Sequence, residues 1–162
     1  MSDGGILQTR AGVGFPGTQV ASSGANVLDD YEEGDWTPIL SDGTNDAGGY
    51  SAQTGKYVKI GRFVHLACEI QANNLGSVGN CKVRGCPFTH ASDSTYSHGS
   101  FMGFEMKAAT NAFPGLQFPG NSVQFEMYDN HFQTGTHAIL TTSTDVDTST
   151  RFRITMQYLA SA

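Results

Sequence analysis

Apolar and polar residues alternate with a period of two in three stretches of the chain, and each predicts a β-strand with one face turned to a core. In 63–71, Val64, Leu66, Cys68 and Ile70 share one face, and His65, Ala67, Glu69 and Gln71 share the other. Val123, Phe125 and Met127 alternate with Gln124, Glu126 and Tyr128. Near the C-terminus Phe152, Ile154, Met156 and Tyr158 alternate with Arg151, Arg153, Thr155 and Gln157, the pattern of a strand that closes a sheet. The run 56–60 precedes the first of these across Gly61-Arg62, a two-residue connection with Gly first, which is the chemistry of a type II′ hairpin turn. Shorter runs at 81–84, 101–106 and 138–142, with 36–40 as the first, bring the expectation to about eight strands. No helical stripe is present. The pattern predicts an all-β fold, an antiparallel jelly-roll-like sandwich. Two Phe-Pro-Gly tripeptides at 113–115 and 118–120 read as paired bends.

The N-terminal segment has neither period. Gly4, Gly5, Gly12, Gly14, Pro16, Gly17 and Gly24 break it up, so it reads as an extended arm. Such an arm cannot cover its own apolar residues, Phe15 and Val20 among them, so its order would come from a neighbouring chain or from another protein, and a disordered tail is the plainer alternative. The expected division is therefore an arm or attachment segment over 1–34 and a sandwich domain over 35–162.

Composition narrows the function classes. With 162 residues the chain has room for one substantial core. Charged residues are only 15% of it, and the net charge is −6, which argues against a nucleic-acid partner, since neutralising phosphates requires a basic stripe. No run is long and apolar enough for a membrane span, and the first residues lack the basic and apolar regions of a secretion signal. Three cysteines, at 68, 81 and 86, match no paired zinc-ligand spacing and read as reduced structural thiols.

The stretch NVLDDYEEGDWTP, Asn26 to Pro38, with the preceding FPGTQVASSGA, resembles a segment near the start of C-terminal domains in bacteriophage tail-fibre and tailspike proteins, where it reads like N-x-L-D-D-Y-E-E-G-x-[WF]-T-P. GKYVKIGRFVHLACEI, Gly55 to Ile70, is similar to that family's Tyr-x-Lys-Ile-Gly hairpin. RGCPFT, Arg84 to Thr89, resembles its Gly-Leu-Pro-Phe element with Cys86 in place of Leu. The resemblance implies a β-rich homotrimeric module that caps a fibre or spike, is assembled in the bacterial cytoplasm and contacts host surface glycans. Because the chain starts at Met1 with only a short arm, a separate subunit fitted onto another virion protein, such as a capsid decoration or adaptor subunit, is the alternative.

The residues of the motif also make sense on their own. Asp29, Asp30, Glu32 and Glu33 flank Tyr31 at the end of the arm, and three such clusters in a trimer would repel unless Arg or Lys from a neighbour pairs with them. Lys56, Lys59 and Arg62 are the candidate partners, and a solvated acidic turn is the plainer reading. Phe15, Val20 and Asp29 to Glu33 are thus the expected subunit or attachment contacts. Trp36, the only tryptophan, is expected to bury its ring behind this turn.

Catalytic readings find little support. Asp29 with Glu33, or Asp145 with Asp147, could be nominated as a glycosidase pair, but nothing around them would raise a pKa, and no enzymatic activity is expected. No metal or other cofactor is expected either. The five histidines form no helical ligand pair, although His65 or His98 could supply three ligands on a threefold axis. Asp42, Asn45 and Asp46 offer oxygens in a Gly-rich loop without the calcium-loop spacing. For glycan binding the richest stretch is 126–137, where Tyr128 and Phe132 stand beside Asp129, Asn130 and His131. Aromatic faces there would stack on sugar rings while carboxylate and amide groups take hydroxyls, and a hairpin turn at Asp129-Asn130 is the plainer alternative.

Overall fold

The two strands with the strongest alternation lie side by side at the centre of the fold. A computed structural model describes residues 12–14, 30–75, 79–92, 97–106, 113–131, 136–140 and 145–161. Among these residues there are ten strands: β1 Tyr31–Trp36, β2 Ile39–Ser41, β3 Gly49–Ile60, β4 Phe63–Asn74, β5 Lys82–Arg84, β6 His98–Phe104, β7 Phe113–Gln117, β8 Gln124–His131, β9 Thr136–Ile139 and β10 Arg151–Leu159. One sheet runs β1-β3-β4-β10-β6, the other β2-β5-β8-β7, and β9 also pairs with β8. Every pairing is antiparallel.

The core is what the alternation predicts for its central strands. Val64, Leu66, Cys68 and Ile70 of β4 are buried, as are Phe152, Ile154, Met156 and Tyr158 of β10. From the second sheet Leu40, Val83, Phe125 and Met127 close over them. Each large apolar side chain so buried contributes roughly 1.5–3 kcal/mol. Tyr158 is fully buried with its ring, and its hydroxyl donates to the Phe88 carbonyl at 2.9 Å, which removes the cost of an unpaired polar atom. The β3–β4 hairpin turns as its sequence requires. Ile60 stands opposite Phe63, and of the two turn residues only Gly61 has positive φ, at 57°, as a type II′ turn demands.

Three readings of the sequence need correction. The stretch 36–40 is two strands, not one, because Trp36 ends β1 in the first sheet and Ile39 begins β2 in the second, with Thr37-Pro38 making the crossing. β1, whose charged residues carry no apolar alternation, pairs with β3 from Tyr31 onward at the edge of its sheet. Phe113-Pro114-Gly115 is not a bend but the start of β7, which lies at a sheet edge where proline's missing N–H is tolerated. The second tripeptide does lead into a turn, with Asn121 at φ 57°. Val123 precedes β8 and is exposed, so only Phe125 and Met127 of that alternation reach the core.

Candidate functional site

The three motif segments, far apart in the chain, meet at the β1 edge of the first sheet. Register places Glu32 opposite Lys59, Gly34 opposite Tyr57 and Trp36 opposite Gly55. Asp30, just ahead of β1, forms an ion pair with Lys59, and both side chains are buried, each residue 6% exposed. The Lys59 ammonium also lies 5.3 Å from the centroid of Phe88, the aromatic of the third segment, and Phe88 packs edge-on against Tyr57. Asp30 therefore finds within its own chain the cation expected from a neighbour. Of the other candidate cations, Lys56 pairs with exposed Asp35, and Arg62 donates from Nε to the Ala160 carbonyl at 2.8 Å.

Tyr57 donates its hydroxyl to Glu32 Oε1 at 2.5 Å, and Tyr31 donates to Glu33 Oε2 at 2.7 Å. The bond to Glu32, with some burial and the nearby carboxylate charge, pushes the Tyr57 hydroxyl up to about 12. An unfolded tyrosine titrates near ~10, so the folded chain holds this proton more tightly. That contribution is complete below pH ~10 and is lost as pH rises through the folded value. Denaturant midpoints measured from pH 9 to about 12 are expected to fall less steeply in Tyr57→Phe than in wild type. Equal slopes would mean that the Glu32 bond does not persist in solution. The acidic cluster is thus a paired strand rather than a solvated turn.

Beyond this edge, the outward face of the first sheet carries most of the exposed large apolar side chains among the described residues. Tyr31, Ile60, Phe63 and Leu159 form one row across β1, β3, β4 and β10. At the opposite end of the strands, Met102 and Phe104 of β6 are 60% and 37% exposed beside Arg153 and Arg151. Between the two ends lie Glu33, Val58, His65 and Gln157 in register, with His65 Nδ1 3.4 Å from Gln157 Nε2.

The other sequence candidates fare differently. Asp129, Asn130 and His131 lie within β8, so the turn expected at Asp129-Asn130 is a strand paired with β7 and β9. Tyr128 donates to Glu126 Oε2 at 2.7 Å, and Glu126 pairs with Lys82 at 2.9 Å on the outward side of the second sheet. Burial works to raise the Glu126 carboxyl, yet the bonds from Lys82 and Tyr128 outweigh it and hold the group below its usual range. Phe132 lies outside the described residues, as do Phe15, Val20 and Asp29. In the 41–49 loop, Asp42 Oδ1 accepts from the Thr44 and Asn45 amides at 2.7 and 2.6 Å, and Asp46 pairs with Arg84 at 2.7 Å. Those carboxylates close the loop and brace it. Asp147 likewise accepts from the Ser149 amide at 2.8 Å and the Ser149 hydroxyl at 2.5 Å, bonds that lower its pKa. The three thiols are free and buried, with burial pushing Cys68 and Cys81 up to about 12. Among the described residues no three His, Cys, Asp or Glu side chains gather as metal ligands.

No family model matches the chain, and no curated protein matches it. Among solved structures, the chain is similar to the Dettilon tailspike protein (gp208), with a TM-score of 0.68 and 15% identity. The match covers 81% of this chain and 24% of the tailspike chain. At that identity the likeness is one of fold, so this chain shares the architecture of one portion of a tailspike protein.

Proposed function

We propose that the chain is a non-enzymatic structural module of a bacteriophage tail, a tail-fibre or tailspike tip that works as a homotrimer on the virion and contacts host surface glycans. The observation that carries this reading is the fold shared with part of a tailspike over most of the chain. The convergence of the three motif segments on one edge supports it, as does a jelly-roll-like reading of the two sheets. Strand β1 begins at the apolar row Tyr31-Ile60-Phe63-Leu159, which is the surface we assign to contacts between copies. Contiguous exposed apolar patches on a protein surface mark interaction sites.

Light scattering on the purified full chain is expected to give the mass of three chains. Phe63→Asp, which places a charge in the row without touching the core face, is expected to shift it to monomer while the circular dichroism stays that of a β-protein. A wild-type monomer would remove the homotrimer from the reading. Labelling intact virions then locates the protein: signal on the capsid shell would replace the tail module with a decoration subunit.

A further inference from the structure

We propose that the outward face of the first sheet, at its β6 end, is a binding groove for a neutral oligosaccharide. Two adjoining depressions form it, of about 380 and 630 Å3, and both are lined by Arg153. Cavities of this size hold small organic ligands. The larger runs over β3, β4, β10 and β6 past Ala67 and Met102, and the smaller is bounded by Phe104, Arg151 and Gln71. An apolar floor thus leads directly into a polar end.

A pyranose ring has an apolar C–H face and a rim of hydroxyls, and it needs that combination: a flat apolar surface beside planar donors and acceptors that are already held in place. Arg153 donates from Nε to Glu69 Oε1 at 3.1 Å, and its guanidinium lies 5.3 Å from the Phe104 centroid. Arg151 donates from Nε to Gln71 Oε1 at 3.1 Å, and Gln71 donates in turn to the Thr148 and Ser149 carbonyls at 3.2 Å each. Holding long side chains this way lowers the ordering cost that sugar binding would otherwise carry. The backbone adds an independent sign. Glu105, directly after Phe104, has φ 55°, uncommon for a residue with a side chain, and its carbonyl accepts from buried Thr150 Oγ1 at 3.0 Å. Such outliers concentrate at ligand sites, and this one ends β6 at the rim of the groove.

Charge selects the class of sugar. Arg151 and Arg153 stand against Glu69 and Glu105, and Lys56, which also lines the larger depression, is paired with Asp35, so the groove does not attract a polyanion. Its shallow polar end offers no deep apolar pocket for a peptide anchor. A neutral hexose or deoxyhexose chain is the ligand these groups fit.

This proposal deepens the host-contact reading above and rests on it for its setting. The test is a panel of neutral oligosaccharides of glucose, galactose, mannose and rhamnose, with hyaluronan fragments as the acidic arm. Each is titrated into the full-length protein by calorimetry and by amide-shift NMR. At least one neutral member is expected to bind, and Phe104→Ala and Arg153→Ala are each expected to weaken it tenfold or more with unchanged melting temperature. Met102→Ser, an exposed change that leaves the fold alone, is expected to weaken it less, and Tyr128→Ala to leave it unchanged. The proposal is overturned if no neutral member binds, if only hyaluronan binds, or if Tyr128→Ala abolishes binding while Phe104→Ala and Met102→Ser do not. Sugar binding by a protein found on no virion would keep the groove and remove the tail reading; a tail-located protein that binds none of the panel would do the reverse.

Discussion

Replacing Lys59 by Met is expected to lower the unfolding free energy by about 3–5 kcal/mol, the scale of a buried ion pair that loses one partner. Asp30 and Lys59 are both shielded from water, and the ammonium lies against the Phe88 ring as well as the carboxylate. Removing the cation leaves the Asp30 carboxylate without its cation in a setting that penalises charge. The Asp30 carbonyl also accepts from the Gly61 amide at 2.8 Å, so a displaced Asp30 would loosen the hairpin turn too. Replacing both partners, in Asp30→Leu/Lys59→Met, is expected to recover most of the loss, because an apolar pair of similar volume carries no desolvation penalty. Urea unfolding of the three variants checks this. A loss below about 1 kcal/mol for Lys59→Met would place the pair in the range of exposed salt bridges and contradict its burial.

How far the sequence reveals this fold depends on whether the deciding information is local. In β4 and β10 each residue's inward or outward sense follows from its own neighbours, so Val64 to Ile70 and Phe152 to Tyr158 could be assigned from alternation alone. The type II′ turn at Gly61 was equally local. β1 is opaque because neither of its faces is buried before Trp36, so it needs no apolar pattern, and Tyr31 to Asp35 reads as an acidic turn. β7 was hidden by Pro114, which reads as a breaker unless the strand is known to sit at an edge.

The site was harder still. Asp30, Tyr57, Lys59 and Phe88 come together only through the β1–β3 register and the return of the chain after β5, and nothing in a linear reading fixes either. The groove draws Phe104, Arg153 and Gln71 from three different strands. Only a contiguous mixture of aromatic and polar residues is visible in a linear sequence, which is why 126–137 stands out while this face does not. Tyr128, the aromatic of that stretch whose contacts are described, gives its hydroxyl to Glu126.

The motif's Trp-Gly pairing yields the second large effect. Trp36 lies opposite Gly55 across the β1–β3 pair, its ring buried and its Nε1 donating to the Ala67 carbonyl at 3.3 Å. A Cβ on Gly55 would stand 2.6 Å from both Cδ1 and Cε2 of the indole, closer than real atoms approach. Gly34, opposite Tyr57, is crowded in the same manner, with an added Cβ 3.1 Å from two ring carbons. The glycines in this edge are therefore the floor on which the aromatic rings lie. Trp36→Ala is expected to cost about 3–5 kcal/mol through lost burial and an unfilled cavity. Gly55→Ala is expected to cost about 1–3 kcal/mol by overpacking. Together they should cost little more than Trp36→Ala alone, because the added methyl then occupies space the indole has left. Denaturant unfolding of the four proteins in this cycle gives the coupling. Were the indole able to swing aside freely, Gly55→Ala would instead be neutral or stabilising by about 0.4–1 kcal/mol, since alanine restricts the unfolded chain. That sign separates a fixed ring from a mobile one, and with it decides whether the β1 edge is a rigid surface on which a neighbouring copy can dock.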